Sequence, residues 1–137
     1  MQRYLIDTNI WSALIRGASP SVRNKLIALD VGQVCMSPVV FGELALGYLM
    51  CEKKGDKTAK RKQALEALLN LSTPLTIDAA VASTYAKLRA TLEAQGTPIG
   101  RNDTWIAAEA LHHGLTVVTD NVREFERVNG LTVENWL

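Results

Sequence analysis

The chain alternates short β-forming runs with longer helical patterns, and this alternation constrains its fold more than any other feature. Apolar runs rich in strand-forming residues occupy positions 4–6, 34–36, 74–77 and 115–119. Helical patterns lie between them, over residues 21–30, 39–51, 59–71, 79–95 and 103–113. Parallel strands need a crossover connection, usually a helix, which covers a face of the sheet. The order therefore predicts an α/β fold, a mostly parallel central sheet flanked by helices on both faces.

Chain length and net charge narrow the classes of function. A chain of 137 residues suits one domain, so residues 1–137 are expected to form a single unit. Fifteen Lys and Arg against fourteen Asp and Glu give a formal charge of +1, which excludes nucleic-acid binding by bulk charge. Any contact with RNA must come from a local patch. The lysine-rich segment 52–63 is a candidate, although such a helix is more often a solvated face.

The cysteines and the N-terminus point to the cytoplasm. Cys35 and Cys51 form neither a CxxC pair nor the crowded pattern of a secreted disulfide scaffold. The apolar run directly before Asp7 has only three residues, too few for a signal peptide, and no uncharged stretch approaches the ~20 apolar residues of a membrane span. We therefore expect a cytoplasmic protein without a membrane partner.

Four acidic residues are expected to gather at one edge of the sheet. Asp7 directly follows the first strand and Asp120 follows the last, and the carboxyl ends of parallel strands meet at the same edge. Glu43 is the only charged residue from 34 to 51, and a lone buried carboxylate costs several kcal/mol. It should therefore face a polar cleft, a metal or a basic partner. Asp103 opens a helix where a loop of an α/β fold would present it at that edge.

Each acid also has a plainer interpretation. An N-cap role is the alternative for Asp7 and Asp103, and a turn role is the alternative for Asp120. Taken together, these alternatives leave unexplained why all the acids fall where the sheet topology collects them. Carboxylates in one cleft repel, and an all-oxygen set without Cys or His favours Mg²⁺ or Mn²⁺ as the cation that relieves the repulsion. The chemistry suited to such a site is phosphodiester hydrolysis.

Four segments in the same order resemble a known family. They are residues 5–10 (LIDTNI), 39–44 (VVFGEL), 101–108 (RNDTWIAA) and 117–125 (VVTDNVREF). With the closing GLTVENW, the similarity extends over the whole chain. Together the segments resemble a PIN domain of the VapC toxin type.

The resemblance implies specific roles for the acids. Asp7, Glu43 and Asp103 match the metal-binding acids of the family. For the fourth position both Asp120 and Asn121 qualify, and we favour Asp120 because it is charged, with Asn121 as a supporting residue. The resemblance also implies that neighbouring polar residues orient the carboxylates or the attacking water through hydrogen bonds, although they could simply be polar residues of a helix start and a turn. These residues are Thr8, Asn9 and Thr119.

As a whole, the resemblance implies an Mg²⁺- or Mn²⁺-dependent endoribonuclease, the toxin of a toxin–antitoxin pair, that cuts structured RNA such as tRNA. It also implies a VapB-type antitoxin, whose C-terminal segment wraps the toxin, and a toxin homodimer. A phosphatase of the haloacid dehalogenase kind ranks lower, because it needs a second Asp where this chain has Asn9. A non-catalytic domain that binds a basic peptide or scaffolds RNA processing remains the alternative from another class.

Overall fold

A computed structural model of the protein describes residues 1–53 and 59–137. The strands of this part of the chain are short: β1 (Tyr4–Ile6), β2 (Val34–Met36), β3 (Thr73–Pro74), β4 (Thr116–Val118) and β5 (Val133–Glu134). The helices are α1 (Thr8–Ile15), α2 (Pro20–Ile27), α3 (Pro38–Lys53), α4 (Ala59–Leu71), α5 (Ala79–Ala94), α6 (Arg101–His113) and α7 (Val122–Phe125). Part of the lysine-rich segment 52–63, residues 54–58, lies outside the described residues.

The five strands form one parallel sheet in the order β3-β2-β1-β4-β5. Strand β1 is central, and its Leu5 pairs with Cys35 of β2 on one side and Val117 of β4 on the other. The helices flank this sheet, and the predicted α/β class is confirmed. Because all strands run the same way, their carboxyl ends share one edge.

The predictions hold for the long helices and for strands β1, β2 and β4, and they miss or misplace several other short elements. Helix α1, of eight residues, was not predicted, although it begins one residue after β1 and buries Ile10, Trp11 and Ala13. Strand β3 covers two residues rather than the expected 74–77, and β5 extends the sheet through a Val117–Val133 pair. Such short elements leave too few residues for a periodic pattern, so tertiary pairing decides them.

The strands in the middle of the sheet are buried on both faces. Leu5, Ile6, Val117 and Val118 have no exposed surface, which is why these strands are continuous apolar runs. No helix in the described ranges is long and apolar enough to cross a membrane.

Buried polar residues interrupt the core at one edge of the sheet. Asp7, Ser37 and Thr119 each directly follow one of three neighbouring strands, β1, β2 and β4. All three are buried, Ser37 and Thr119 completely. The fold thus concentrates buried polar groups at the carboxyl edge, where the candidate site lies.

Candidate active site

Asp7 is fixed by hydrogen bonds to both of its carboxylate oxygens. It is the N-cap of α1, where Oδ1 accepts from the Thr8 backbone N–H at 2.8 Å, and Oδ2 accepts from Thr119 Oγ1 at 2.9 Å. The N-cap interpretation is therefore right for Asp7, and it leaves the carboxylate at the site edge. Burial raises the pKa of Asp7, and the charges of Glu43 and Asp120 raise it further against the lowering by its hydrogen bonds.

Glu43 reaches the same edge from α3, and a hydroxyl of α1 contacts it. Thr8 Oγ1 donates to Glu43 Oε1 at 2.7 Å. Within the described ranges the only ion pair joins Arg89 and Glu93, so no basic side chain there pairs with Glu43. Of the sequence-based alternatives for Glu43, a basic partner within the described residues is thus not observed.

Asp103 lies in the first turn of α6, and Gly100 rather than Asp103 is the N-cap of that helix. The N-cap interpretation is therefore wrong for Asp103. Its Oδ2 accepts from Asn121 Nδ2 at 3.2 Å. Burial first, and then the charges of Asp7, Glu124 and Glu43, raise the pKa of Asp103 to about 6. Asp103 is therefore both partly buried and surrounded by other acids.

Asp120 and Asn121 take different positions after β4. Asp120 is exposed and accepts from Asn9 Nδ2 at 3.1 Å. Asn121 is half-buried, and its Nδ2 donates both to Asp103 and, at 2.6 Å, to Glu124 Oε2. Asp120 therefore contributes a charge at the rim, whereas Asn121 links two acids by hydrogen bonds.

Glu124 is an acid of this cluster that sequence reasoning missed. It lies on the short helix α7, shares the Asn121 amide with Asp103, and its charge contributes to the raised pKa of Asp103. The available signal was its position three residues after Asn121, which places both side chains on one face of a helical turn. Without knowledge of α7, that signal could not be used.

Each supporting residue predicted from the sequence donates a hydrogen bond to an acid of the cluster. The donor and acceptor pairs are Thr8 to Glu43, Asn9 to Asp120, Thr119 to Asp7, and Asn121 to Asp103. Hydrogen bonds of this kind fix carboxylates in the way that supporting residues fix metal ligands. The carboxylates are thus held by neutral donors, which leave their negative charges in place.

The residues present suit a divalent cation in chemical type. The cluster offers only oxygen donors, which Mg²⁺ and Mn²⁺ prefer. Burial is the first cause of the raised pKa of Asp103, and the like charges of Asp7, Glu124 and Glu43, which a cation would offset, add to it. Among the residues that the structure describes, no three His, Cys, Asp or Glu side chains form a ready-made metal cage. The suitability for a divalent cation therefore rests on the chemical type and the charge of these side chains. It does not rest on a complete coordination geometry.

An open cleft leads away from the acids between α1, α3 and α4. It has a volume of about 200 Å³, and Thr8 and Glu43 lie among its lining residues. Arg16 and Arg61 also line it. The cleft therefore combines acidic and basic side chains, although the whole chain is almost neutral.

Comparison with known proteins agrees with the α/β fold. The model of the PIN domain family matches residues 4–131, and the chain therefore belongs to that family. Its full-length relatives include the tRNA(fMet)-specific endonuclease VapC of Shigella flexneri, 37% identical over 136 residues and 99% of each chain. Ribonuclease VapC2 of Haemophilus influenzae is 33% identical over 137 residues and 100% of each chain.

Solved structures similar to this one include VapBC assemblies. VapBC2 of Rickettsia felis, bound to a DNA fragment from its promoter, contains a chain with a TM-score of 0.87 and 31% identity, covering 99% of this chain and 100% of that one. DNA-bound VapBC of Salmonella typhimurium gives a TM-score of 0.83 and 31% identity over 100% of both chains. The resemblance inferred from the sequence, a PIN domain of the VapC type, is confirmed.

Proposed function

We propose that this protein is a metal-dependent endoribonuclease, the toxin of a toxin–antitoxin pair, which hydrolyses phosphodiester bonds in structured RNA, with tRNA as the expected substrate. The observation that carries the proposal is the cluster of Asp7, Glu43 and Asp103, each held by a neutral donor at the carboxyl edge of the sheet. The names of the relatives from Shigella flexneri and Haemophilus influenzae support RNA as the substrate.

Asp7, Glu43 and Asp103 would hold Mg²⁺ or Mn²⁺, with Asp120 as the fourth acid. The chemistry that the cation would supply there is activation of water and neutralisation of the charge that develops on the phosphodiester. The neighbouring polar residues of the chain orient these carboxylates. The Thr8 and Thr119 hydroxyls fix two carboxylates, and Asn121 fixes Asp103.

Asp120 and Glu124 share the remaining charge of the site in this proposal. Asp120 acts on Asp7 from the rim, and Glu124 acts on Asp103 from α7. Asn121 serves as the neutral link between Asp103 and Glu124. We keep Asp120 as the fourth predicted acid and add Glu124 as a second candidate for that position.

The cleft beside the acids suits a polyanion. Arg16 and Arg61 line it together with Glu43, and guanidinium groups bind phosphate oxygens through two parallel hydrogen bonds. We propose that these arginines contact phosphates next to the scissile bond. They would supply the local patch that a chain of net charge +1 requires.

A VapB-type antitoxin is the proposed partner. The similar structures from Rickettsia felis and Salmonella typhimurium are VapBC assemblies. An arginine of the antitoxin would match the acids with its planar fork, and its apolar segment would lie on the exposed face of α3. That face carries Leu46, Leu49 and Met50, which are 59%, 54% and 49% exposed.

The proposed toxin works as one domain over residues 1–137, pairs as a homodimer as the VapC type implies, and acts in the cytoplasm. Both cysteines, Cys35 and Cys51, are free thiols, in agreement with a reducing compartment.

Incubation of the purified protein with total cellular RNA, with and without Mg²⁺ or Mn²⁺, tests the proposal. We expect discrete new RNA ends that require the metal and that concentrate in tRNA. Asp7→Asn keeps the shape of the side chain and serves as the matched control. RNA that stays intact with wild-type protein and metal would instead support the non-catalytic domain.

A further inference from the structure

A buried acid outside the proposed site joins α6 to the start of α3. Glu109 lies on α6 with no exposed surface, and its Oε2 lies 2.5 Å from Ser37 Oγ, which is equally buried. No described residue provides a hydrogen-bond partner for Glu109 Oε1. A carboxyl group at such a position is costly to bury, and an apolar side chain would pack between two helices without that cost. The presence of the Glu109 carboxyl group at this position therefore indicates a role beyond packing.

Ser37 is tied to the first turn of α3 as well as to Glu109. Its Oγ accepts from the backbone N–H groups of Val39 at 3.1 Å and Val40 at 3.4 Å. These are N–H groups that the helix itself cannot satisfy. A shift of Ser37 would therefore move the beginning of α3.

The Ser37–Glu109 contact and the acids Glu43 and Asp103 lie on the same two elements, α3 with the residue before it and α6. Glu43 lies six residues after Ser37, and Asp103 lies six residues before Glu109. Six helical residues span roughly 9 Å along a helix axis, so the Ser37–Glu109 contact lies less than two turns from each of the two acids. The helices pack against each other, and the charge of Glu43 acts on Asp103 across them.

We propose that the Ser37–Glu109 contact sets the packing of α3 on α6 and so holds Glu43 and Asp103 at the spacing that binds a divalent cation. Glu109 is a positioning residue for the site, and Ser37 is its partner. The inference rests on the proposed function, since it assigns Glu43 and Asp103 to one metal site. It extends that function to a residue that touches neither RNA nor metal.

Two measurements test this inference. The first is calorimetric titration of RNA-free protein with Mn²⁺, and the second is RNA cleavage under single-turnover conditions. Glu109→Leu keeps the volume but removes the hydrogen bond, and we expect its Mn²⁺ affinity and its cleavage rate to fall by roughly tenfold or more. The KM for RNA should stay within about twofold of wild type. Glu109→Gln keeps a hydrogen-bonding group beside Ser37 and should restore Mn²⁺ binding to within about threefold.

Val22→Ala is the matched control, because Val22 is fully buried in α2, a helix that packs mainly against α1. It should lower the melting temperature and leave Mn²⁺ affinity unchanged. Wild-type Mn²⁺ affinity in Glu109→Leu would overturn the inference. Ser37→Ala removes the other partner and must also weaken Mn²⁺ binding, so wild-type affinity in that variant would overturn it even if Glu109→Leu does not fold.

The outcomes also separate this inference from the proposed function. If wild-type protein binds no Mn²⁺, the proposed metal site is wrong, and the positioning role is wrong with it. If wild-type protein binds Mn²⁺, Asp103→Asn abolishes that binding and the Glu109 and Ser37 variants bind normally, only the positioning role is wrong.

Discussion

At the scale of single residues, uncompensated charge shapes the behaviour of the acidic cluster. Asp7 and Asp103 are both driven to a raised pKa, first by burial and then by the charges of their neighbours. The hydrogen bonds from Thr119 and Asn121 oppose this effect only in part. The metal-free protein therefore holds negative charge at a cost in stability, as expected for a site that works with a bound cation.

Neutralising Asp103 should stabilise the metal-free protein. Its pKa is about 6 in the folded state against 3.8 for the free group. The folded state thus retains a proton that the unfolded state loses, so stability falls as pH rises from about 4 to about 6. Above that range Asp103→Asn should gain about 1 to 2 kcal/mol in urea unfolding with EDTA present. The same variant should lose cleavage by at least about a hundredfold. An unchanged unfolding free energy at pH 8 would contradict the charge argument.

Ionisation of Glu109 should also make the stability of the folded protein fall as pH rises. Burial raises its pKa from 4.5 to about 7, so stability falls between those values as the unfolded chain ionises first. Glu109→Gln cannot ionise and should remove this part of the pH dependence, worth about 2 to 4 kcal/mol when complete. Unfolding free energies of both proteins from pH 4 to 8 check this. Parallel curves for the two proteins would contradict the assignment.

At the scale of elements, the site depends on short pieces of structure that meet at one sheet edge. Helix α1 supplies Thr8, α3 supplies Glu43, and the link between them is a single hydroxyl. The acid of α3 therefore has its orientation fixed by a residue of another helix. Removing that hydroxyl tests whether the link matters.

Thr8→Val keeps the shape of the side chain and removes the hydrogen bond to Glu43. We expect cleavage to fall by about tenfold, because the freed carboxylate samples other orientations. Stability should change by only about 1 kcal/mol. Thr91→Val is the control, since the Thr91 hydroxyl donates to Lys87 O on the exposed surface of α5. If both variants cleave RNA equally well, the Thr8 contact has no role in orienting Glu43.

The length of each element also explains how much of the fold and of the site could be predicted from the sequence. Asp7 and Asp120 could be placed at one edge because the buried strands before them are apolar runs with a clear end. Glu124 could not, because it lies on the four-residue helix α7, which has no pattern of its own. The Ser37–Glu109 contact joins residues 72 positions apart and becomes visible only when α3 and α6 pack.

At the scale of the whole molecule, the fold leaves an apolar surface of α3 uncovered. Leu46, Leu49 and Met50 remain about half exposed on this helix. Large exposed apolar groups in a cluster mark interaction surfaces in soluble proteins. The proposed antitoxin segment would cover them.

Leu49→Glu should weaken the antitoxin without harming the nuclease. Burial of a leucine contributes about 1.5 to 3 kcal/mol, so antitoxin affinity should fall by roughly tenfold or more. Co-expression with the neighbouring small open reading frame, followed by size-exclusion chromatography and an RNase assay, measures both properties. Thr91→Glu, on the exposed surface of α5, is the control. Equal co-elution of antitoxin with both variants would show that the α3 face is not its binding surface.

The most direct test of the account is to locate the cation. In crystals soaked with Mn²⁺, anomalous density should show an ion within about 2.0 to 2.6 Å of carboxylate oxygens of Asp7, Glu43 and Asp103. A further oxygen at the same distance would identify Asp120 or Glu124 as the fourth ligand. Anomalous density elsewhere, or these three carboxylates more than ~10 Å apart in the soaked crystal, would contradict the proposed metal site.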